Sequence, residues 1–342
     1  MQRAEILATH TPILFEAAVT RASAALRQGG IVALPTETVY GLAANALDID
    51  AVRRIFAAKG RPANNPLIVH VCDLGMARRC AAQWPALADR LAEAFWPGPL
   101  TLVVRRSAII PDLVTAGGET VGIRWPSHPL MQSVIRACGF PLAAPSANRS
   151  NELSPTNAEH VARSLGDRIS LIIDGGQSQV GIESTVLDIT TSPPRLLRPG
   201  MIHEESLVAV TGALSARDGG SVGALRSPGL LRKHYSPRAR LVVLSWNDDR
   251  DLETKIRHEF AGRETHLEAR NVQVIAHTRI PLAVRGADVS VIPHDAEAFA
   301  RAIYSELHRC DEAGAELIVV EAVPAGGEWG AIADRLERAA AP

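Results

Sequence analysis

Apolar positions along this chain follow two rhythms. Over residues 13–28 they recur every three or four places and stop at Gly29-Gly30, which predicts a helix ended by glycine. A short apolar run at 31–35 then predicts a buried strand, and 36–41 is the loop that leaves it. A helix over 50–58, ended by Gly60 and Pro62, and a strand over 67–71 repeat the alternation. Further helices are predicted at 86–95, 129–137 and 160–165, and strands at 100–105, 120–125, 171–174, 185–190 and 195–198. A strand-to-loop passage covers 142–148. Strands and helices interleave, yet some strands follow one another directly, so the expected fold is α/β with a twisted mixed sheet.

The pattern breaks after about Ser206. Gly219, Gly220, Ser221, Gly223, Ser227, Pro228 and Gly229 mark a long connection, and a loop of that length usually has a function or lacks order. Beyond it, strands at 241–244, 272–276, 289–292 and 317–321 alternate with helices at 252–260, 296–310 and 332–339. That rhythm predicts a smaller three-layer α/β domain, Rossmann-like in style. The expected division is therefore 1–205, a linker over 206–237, and 238–342.

Composition narrows the chemistry. A length of 342 residues fits two domains, with 46% hydrophobic and 21% charged residues as in globular proteins. A net charge of −1 and 4% aromatic residues argue against binding nucleic acid through bulk charge or stacking. Four scattered cysteines, without a C-x-x-C pair, read as small buried hydrophobes in a reducing compartment. With no basic segment leading into an apolar run and no span-length apolar window, the expected location is the cytoplasm, away from membranes.

The richest passage is Leu34-Pro35-Thr36-Glu37-Thr38-Val39-Tyr40-Gly41-Leu42, followed by Lys59-Gly60-Arg61-Pro62 and on to His70. Hydroxyls, two cations, an amide and an imidazole in one strand-loop-helix-strand passage suit a polyanion beside a polar co-substrate. Lys59 and Arg61 flank a helix-ending glycine and can project from a turn toward phosphate; the plain alternative is a helix C-terminus whose cations complement the dipole. Ala144-Pro145-Ser146-Ala147-Asn148, running on to Ser154, makes an anion nest or simply a turn. Ser184 and Thr185 enter a strand, Arg198 and Arg124 end strands, and Thr120 shares a face with Arg124 by period two. His70 inside an apolar strand is either a satisfied core residue or a functional one. No partner stands at metal-ligand spacing from it, so a zinc site is rejected. His234-Tyr235-Ser236-Pro237 closes the long connection, either as part of a lid or as an anchor for the second domain. The chain has no G-x-x-x-x-G-K-S/T, G-x-G-x-x-G or G-x-S-x-G motif, so any nucleotide is held without the common loops.

In their joint order these blocks resemble the YrdC-like family of threonylcarbamoyl-AMP synthases, in its longer two-domain form. The resemblance runs from Pro35-Thr36-Glu37-Thr38-Val39-Tyr40-Gly41 through Lys59-x-Arg61-Pro62, Ser146-x-Asn148, Gly181-x-x-Ser184-Thr185-Val186 and Arg198-Pro199-Gly200. It continues through His234-Tyr235-x-Pro237 to the ending from Gly327 to Ala340. It implies that L-threonine, bicarbonate or CO2, and ATP give L-threonylcarbamoyl-AMP and pyrophosphate. A separate transferase complex would use the product to modify tRNA, with direct tRNA contact possible but not required. By position, Thr38, His70, Arg124 and Ser184 would hold threonine. Lys59, Arg61, Asn65, Thr120, the Ala144 backbone, Ser146, Asn148, Ser154, Arg198 and Tyr235 would surround ATP. Lys59, Arg61, Ser146 and Asn148 form the implied catalytic set. Mg2+ is expected with the nucleotide, held mainly by phosphates and water. No covalent nucleophile is implied, and His70 is a candidate general base. Asn151 stands where the family usually has glycine, a place that suits positive φ, which asparagine tolerates.

Two rival functions differ in what they demand. An RNA-binding or regulatory module of this family without synthase activity would show salt-sensitive tRNA affinity and no ATP consumption. A carbamoyl-transfer enzyme of the hydrogenase-maturation type would need an acylphosphatase-like region and paired zinc-finger cysteines, which this sequence lacks.

Overall fold

A computed structural model describes residues 3–215, 235–260, 271–282 and 284–341. The chain forms two compact units, Met1–Ser150 with Ser154–Leu231, and Asn151–Leu153 with Arg232–Pro342.

In the first unit, β1 (Glu5–Ala8) leads to α1 (Pro12–Arg27), β2 (Val32–Leu34), β3 (Gly41–Asn45), α2 (Ile49–Lys59) and β4 (Ile68–His70). Next come α3 (Leu74–Cys80), α4 (Ala86–Phe95), β5 (Leu100–Arg105), α5 (Asp112–Thr115), β6 (Thr120–Arg124), α6 (Pro129–Cys138) and β7 (Leu142–Ala143). The unit closes with α7 (Ala158–Leu165), β8 (Leu171–Asp174), β9 (Thr185–Asp188), β10 (Arg195–Arg198) and α8 (Glu204–Thr211). Its strands form one ten-stranded sheet in the order β1-β8-β2-β3-β7-β4-β6-β5-β9-β10. Parallel pairs (β4 with β6, β5 with β9) alternate with antiparallel ones (β5 with β6, β4 with β7), so the sheet is mixed as expected.

Local chemistry sets the elements that carry the site. Asp48 caps α2 by accepting the N–H groups of Asp50 and Ala51. Gly60 ends the helix in the left-handed region at φ 61°, where a side chain would cost strain rather than meet a neighbour. Lys59 and Arg61 thus leave a sharp turn in fixed directions. Gly200 answers a different need: a Cβ there would stand 2.3 Å from the Thr185 backbone nitrogen, at the head of β9. The four cysteines are free and buried.

Helix α8 corrects the expected linker. Its residues 206–211 are helical, and Leu207 is buried in the core of the first unit. Apolar burial by Leu207, with Ile202, Val210 and Leu214 packed against the same core, holds the segment although its sequence already looks like connection. Residues 216–234, which include His234, lie outside the described residues.

The second unit is a four-stranded parallel sheet in the order β11 (Arg240–Leu244), β14 (Leu317–Glu321), β12 (Val272–Ala276), β13 (Ala287–Val291). Leu252 and Ile256 of α9 (Asp249–Glu259) pack on Val272, Val274, Leu317 and Val319 of one sheet face. Ile275, Ile318 and Val320 point the other way by alternation and are also buried, so both faces are covered. Helices α10 (Ala296–Glu312) and α11 (Gly330–Ala340) complete the unit, which is the small α/β domain expected. Asn151 has φ 71°, the positive value anticipated for it. Its carbonyl accepts the Ser236 N–H at 2.9 Å.

Candidate functional site

Strand register assembles the first cluster. His70, the last residue of β4, pairs with Arg124, the last residue of β6, in a parallel ladder. Thr101 of β5 lies directly opposite Arg124 on its other side. Residues level across neighbouring strands share a face about 4.8 Å apart, so His70, Arg124 and Thr101 form a row. The Thr101 and Ser184 hydroxyls share a hydrogen bond of 2.8 Å, which brings in the residue just before β9. Arg124 Nη1 donates to Thr38 Oγ1 at 2.8 Å, and Thr36 Oγ1 lies 2.9 Å from the same oxygen. The structure therefore brings together Thr38, His70, Arg124 and Ser184, and all four are buried.

Burial here leaves a polar group unanswered. His70 Nδ1 is buried without a hydrogen-bond partner in the protein, whereas Arg124 Nη2 is answered by the Glu37 carboxylate. Buried polar atoms ordinarily find partners, so such an orphan marks a place where a ligand or water completes the bonding. His70 is a buried histidine close to the Ile68 and Leu142 backbone, with Nδ1 unpartnered. Burial, then the charge of Arg124, depresses its pKa to about 3, so the ring is neutral at physiological pH. An α-amino group titrates near ~8, and a ring held so low is a poor acceptor for its proton. The ring is therefore available as a neutral hydrogen-bonding group.

Glu37 and Thr101 were missed by reading residue types along the chain. Glu37 Oε1 stands 2.8 Å from Arg124 Nη2 as an ion pair whose angles fall outside hydrogen-bond geometry. Burial is the largest influence and would raise the Glu37 pKa. The Arg124 charge, together with the donors of Arg124 and of the Ser127 and Glu37 backbone, more than offsets it and holds the carboxyl below its ordinary value. Glu37 was in view inside the motif, yet only its neighbouring hydroxyls were read. Thr101 carried one signal, a polar residue within an apolar strand.

The second cluster centres on the end of α2. Lys59 Nζ donates to the Ser146 carbonyl at 2.6 Å and also to the carbonyl of Asn148. The Ser150 N–H returns to the Lys59 carbonyl at 2.9 Å. Arg61 donates to the Asn65 carbonyl (3.0 Å), Asn65 Oδ1 (2.7 Å) and the Pro66 carbonyl (2.8 Å). The expected cations are therefore present with Asn65, Ser146 and Asn148, and they also cross-link the backbone around them. Gly41 bridges to Ser146, and the Ala144 N–H is spent on Ile68, so any ligand contact by Ala144 falls to its carbonyl.

The remaining expected residues are dispersed. Thr120 opens β6, four residues and about 13 Å along the strand from Arg124. Ser154 donates to Glu183 Oε1 at 2.5 Å. Arg198 is buried rather than exposed, and donates to the Ser184 carbonyl (3.0 Å) and hydroxyl (3.1 Å), which joins it to the first cluster. Tyr235 belongs to the second unit, where its ring lies near Tyr304 and under the Arg335 guanidinium, 5.3 Å from the ring centre. That packing matches the anchor alternative for this residue. Among the described residues, no group of three or more His, Cys, Asp or Glu side chains is placed to hold a metal ion. No helix among them is long and apolar enough to cross a membrane.

Comparison with known proteins places these clusters in context. Residues 24–200 match the Sua5/YciO/YrdC family, described as telomere recombination, and residues 202–341 match the C-terminal domain of threonylcarbamoyl-AMP synthase. A threonylcarbamoyl-AMP synthase of Bacillus subtilis is 43% identical over 94% of this chain and 92% of its own. One from Pyrococcus abyssi is 40% identical over 92% and 91%. The crystal structure of P. abyssi Sua5 complexed with L-threonine superposes with a TM-score of 0.88 at 37% identity, over 98% of each chain.

Proposed function

The chain belongs to the Sua5/YciO/YrdC family in its two-domain form, and we propose that it makes L-threonylcarbamoyl-AMP from L-threonine, bicarbonate or CO2, and ATP. The observation that carries this reading is the buried row at the sheet end: Arg124, Thr38, His70 and Ser184, with His70 Nδ1 left without a hydrogen-bond partner. A guanidinium matches the amino-acid carboxylate, while hydroxyls and a neutral imidazole match a small polar side chain and a nitrogen. The P. abyssi relative solved with L-threonine supports this amino-acid half.

The threonine amine, once neutral, attacks the CO2 carbon, and its N–H proton passes to solvent to leave a carbamate. A carbamate oxygen then attacks the α-phosphorus of ATP, forming the mixed anhydride and releasing pyrophosphate. Two anions meet in that step, so fixed cations and donors must offset their repulsion. Lys59 and Arg61 are proposed for this role, with Ser146, Asn148 and Asn65 orienting the nucleotide and Thr120, Ser154 and the Ala144 carbonyl at its margins. Arg198, bonded to Ser184, would stand where the two substrates meet. Positioning then supplies much of the acceleration. Mg2+ would arrive on the triphosphate, neutralise the departing pyrophosphate and be held mainly by phosphate and water. The product would pass to a separate tRNA threonylcarbamoyl-transferase complex in the cytoplasm.

Pyrophosphate release by the purified protein tests the reading. It should need ATP, bicarbonate and threonine together, with serine and valine much weaker. Arg61→Ala should nearly abolish release while keeping the folded circular-dichroism spectrum; near-normal turnover would remove Arg61 from the site.

A further inference from the structure

Glu37 is a buried carboxylate at the amino-acid cluster, and the reaction as written gives it no part. Its backbone is fixed on both sides. The Val180 N–H donates to the Glu37 carbonyl at 2.7 Å, the Gly181 N–H to Thr38 at 3.1 Å, and Ser178 Oγ to Thr36 at 3.0 Å. Thr36 Oγ1 donates to the Val39 carbonyl at 2.6 Å, which tightens the turn from within. The carboxylate is 6% exposed and is aimed from this rigid loop at Arg124 Nη2.

Arg124 is thereby gripped at several points. Nη1 bonds Thr38 Oγ1, Nη2 faces Glu37, and Nε points to the Gly98 carbonyl at 3.4 Å. A lone buried carboxylate is costly, and one beside a cation is tolerated. The placement orients a cation that a ligand must find already aligned, because realigning it on binding would use up binding energy.

We propose that Glu37 is a positioning residue for amino-acid recognition: it holds the Arg124 guanidinium so that Arg124 and Thr38 meet the threonine carboxylate pre-aligned. This rests on the reading of the site as a threonine pocket. Glu37 acts through Arg124, so its loss should weaken threonine and spare ATP.

The test uses the whole chain with four variants: Glu37→Gln, Glu37→Asp, Arg124→Lys and the Arg124→Lys, Glu37→Gln pair. Glu37→Gln keeps the shape and removes the charge; Glu37→Asp keeps the charge and withdraws it by one methylene. At saturating ATP, Glu37→Gln should raise the threonine KM about tenfold or more, since removing one partner of a buried charge pair is costly. Its kcat and ATP KM should stay within about threefold, and Glu37→Asp should recover part of the loss. In an Arg124→Lys background, Glu37→Gln should add little, because coupled residues give non-additive effects. A threonine KM unchanged in Glu37→Gln overturns the proposal. So does equal damage to threonine KM, ATP KM and kcat, or the full effect persisting beside Lys at 124. Should Glu37→Gln fail to fold by circular dichroism, Glu37→Asp decides: a raised threonine KM supports the role and a wild-type value overturns it. Calorimetric binding of threonine repeats the comparison without turnover. Wild-type protein that binds threonine but forms no pyrophosphate would sink the synthase reading and leave this one standing.

Discussion

At the scale of single residues, the histidine at the end of β4 makes a clear physical demand. Its folded pKa of about 3 lies far below its ordinary 6.5, so between those values the unfolded chain binds the proton and the folded chain does not. Stability is therefore complete above pH 6.5 and is lost as pH falls toward 3, by up to about 1.4 kcal/mol per pH unit. Denaturant unfolding of the ligand-free protein across that window should show the slope, and His70→Asn should flatten it. An identical acid slope in the variant would mean that His70 is not held neutral. Single residue types left roles open in the sequence: Arg61 read either as a phosphate-binding group or as a helix-end cation, and Arg124, Thr38 and Ser184 took expected roles only through the family resemblance. Glu37 and Thr101 were not legible, because their roles exist only through the Arg124 ion pair and the Thr101–Ser184 hydrogen bond, which depend on folding and register.

At the scale of elements, legibility followed the strength of the local signal. The stop at Gly60 was plain, and α2 ends there in a left-handed turn. Gly60→Ala should lower stability by about 1 kcal/mol or somewhat more. It should also raise the ATP KM, because it turns Lys59 and Arg61 away from Ser146 and Asn65. A thermal melt and an ATP titration check both, and an unchanged ATP KM would separate the helix end from the nucleotide. Strand β3 was missed because Gly41-Leu42-Ala43-Ala44-Asn45 has little strand propensity and forms through pairing with β2 and β7. Strand β1 lies at the sheet edge and is half exposed, so its pattern is faint. Helix α8 buries one residue, Leu207, and its sequence reads as the start of a connection. Asn151 was legible for a conformational reason, and its φ of 71° is what a glycine-like position needs.

At the scale of the whole molecule, the division into two α/β units was legible from the change in rhythm, while the boundary was not, since α8 continues the first unit past 205. Tyr235 ties the end of the connection to the second unit through Tyr304 and Arg335. Tyr235→Ala should destabilise that unit by about 3 kcal/mol, as expected for loss of a buried aromatic ring. A thermal melt of the variant checks this, and an unchanged melting temperature would remove the anchoring role from Tyr235. The central claim concerns what the two clusters make together. The most direct measurement is mass spectrometry of the nucleotide product formed from ATP, isotopically labelled bicarbonate and threonine. An adenylate carrying both threonine and the labelled carbon, formed in step with pyrophosphate, is the result this account requires. Pyrophosphate release without threonine, or an adenylate lacking the labelled carbon, would contradict it.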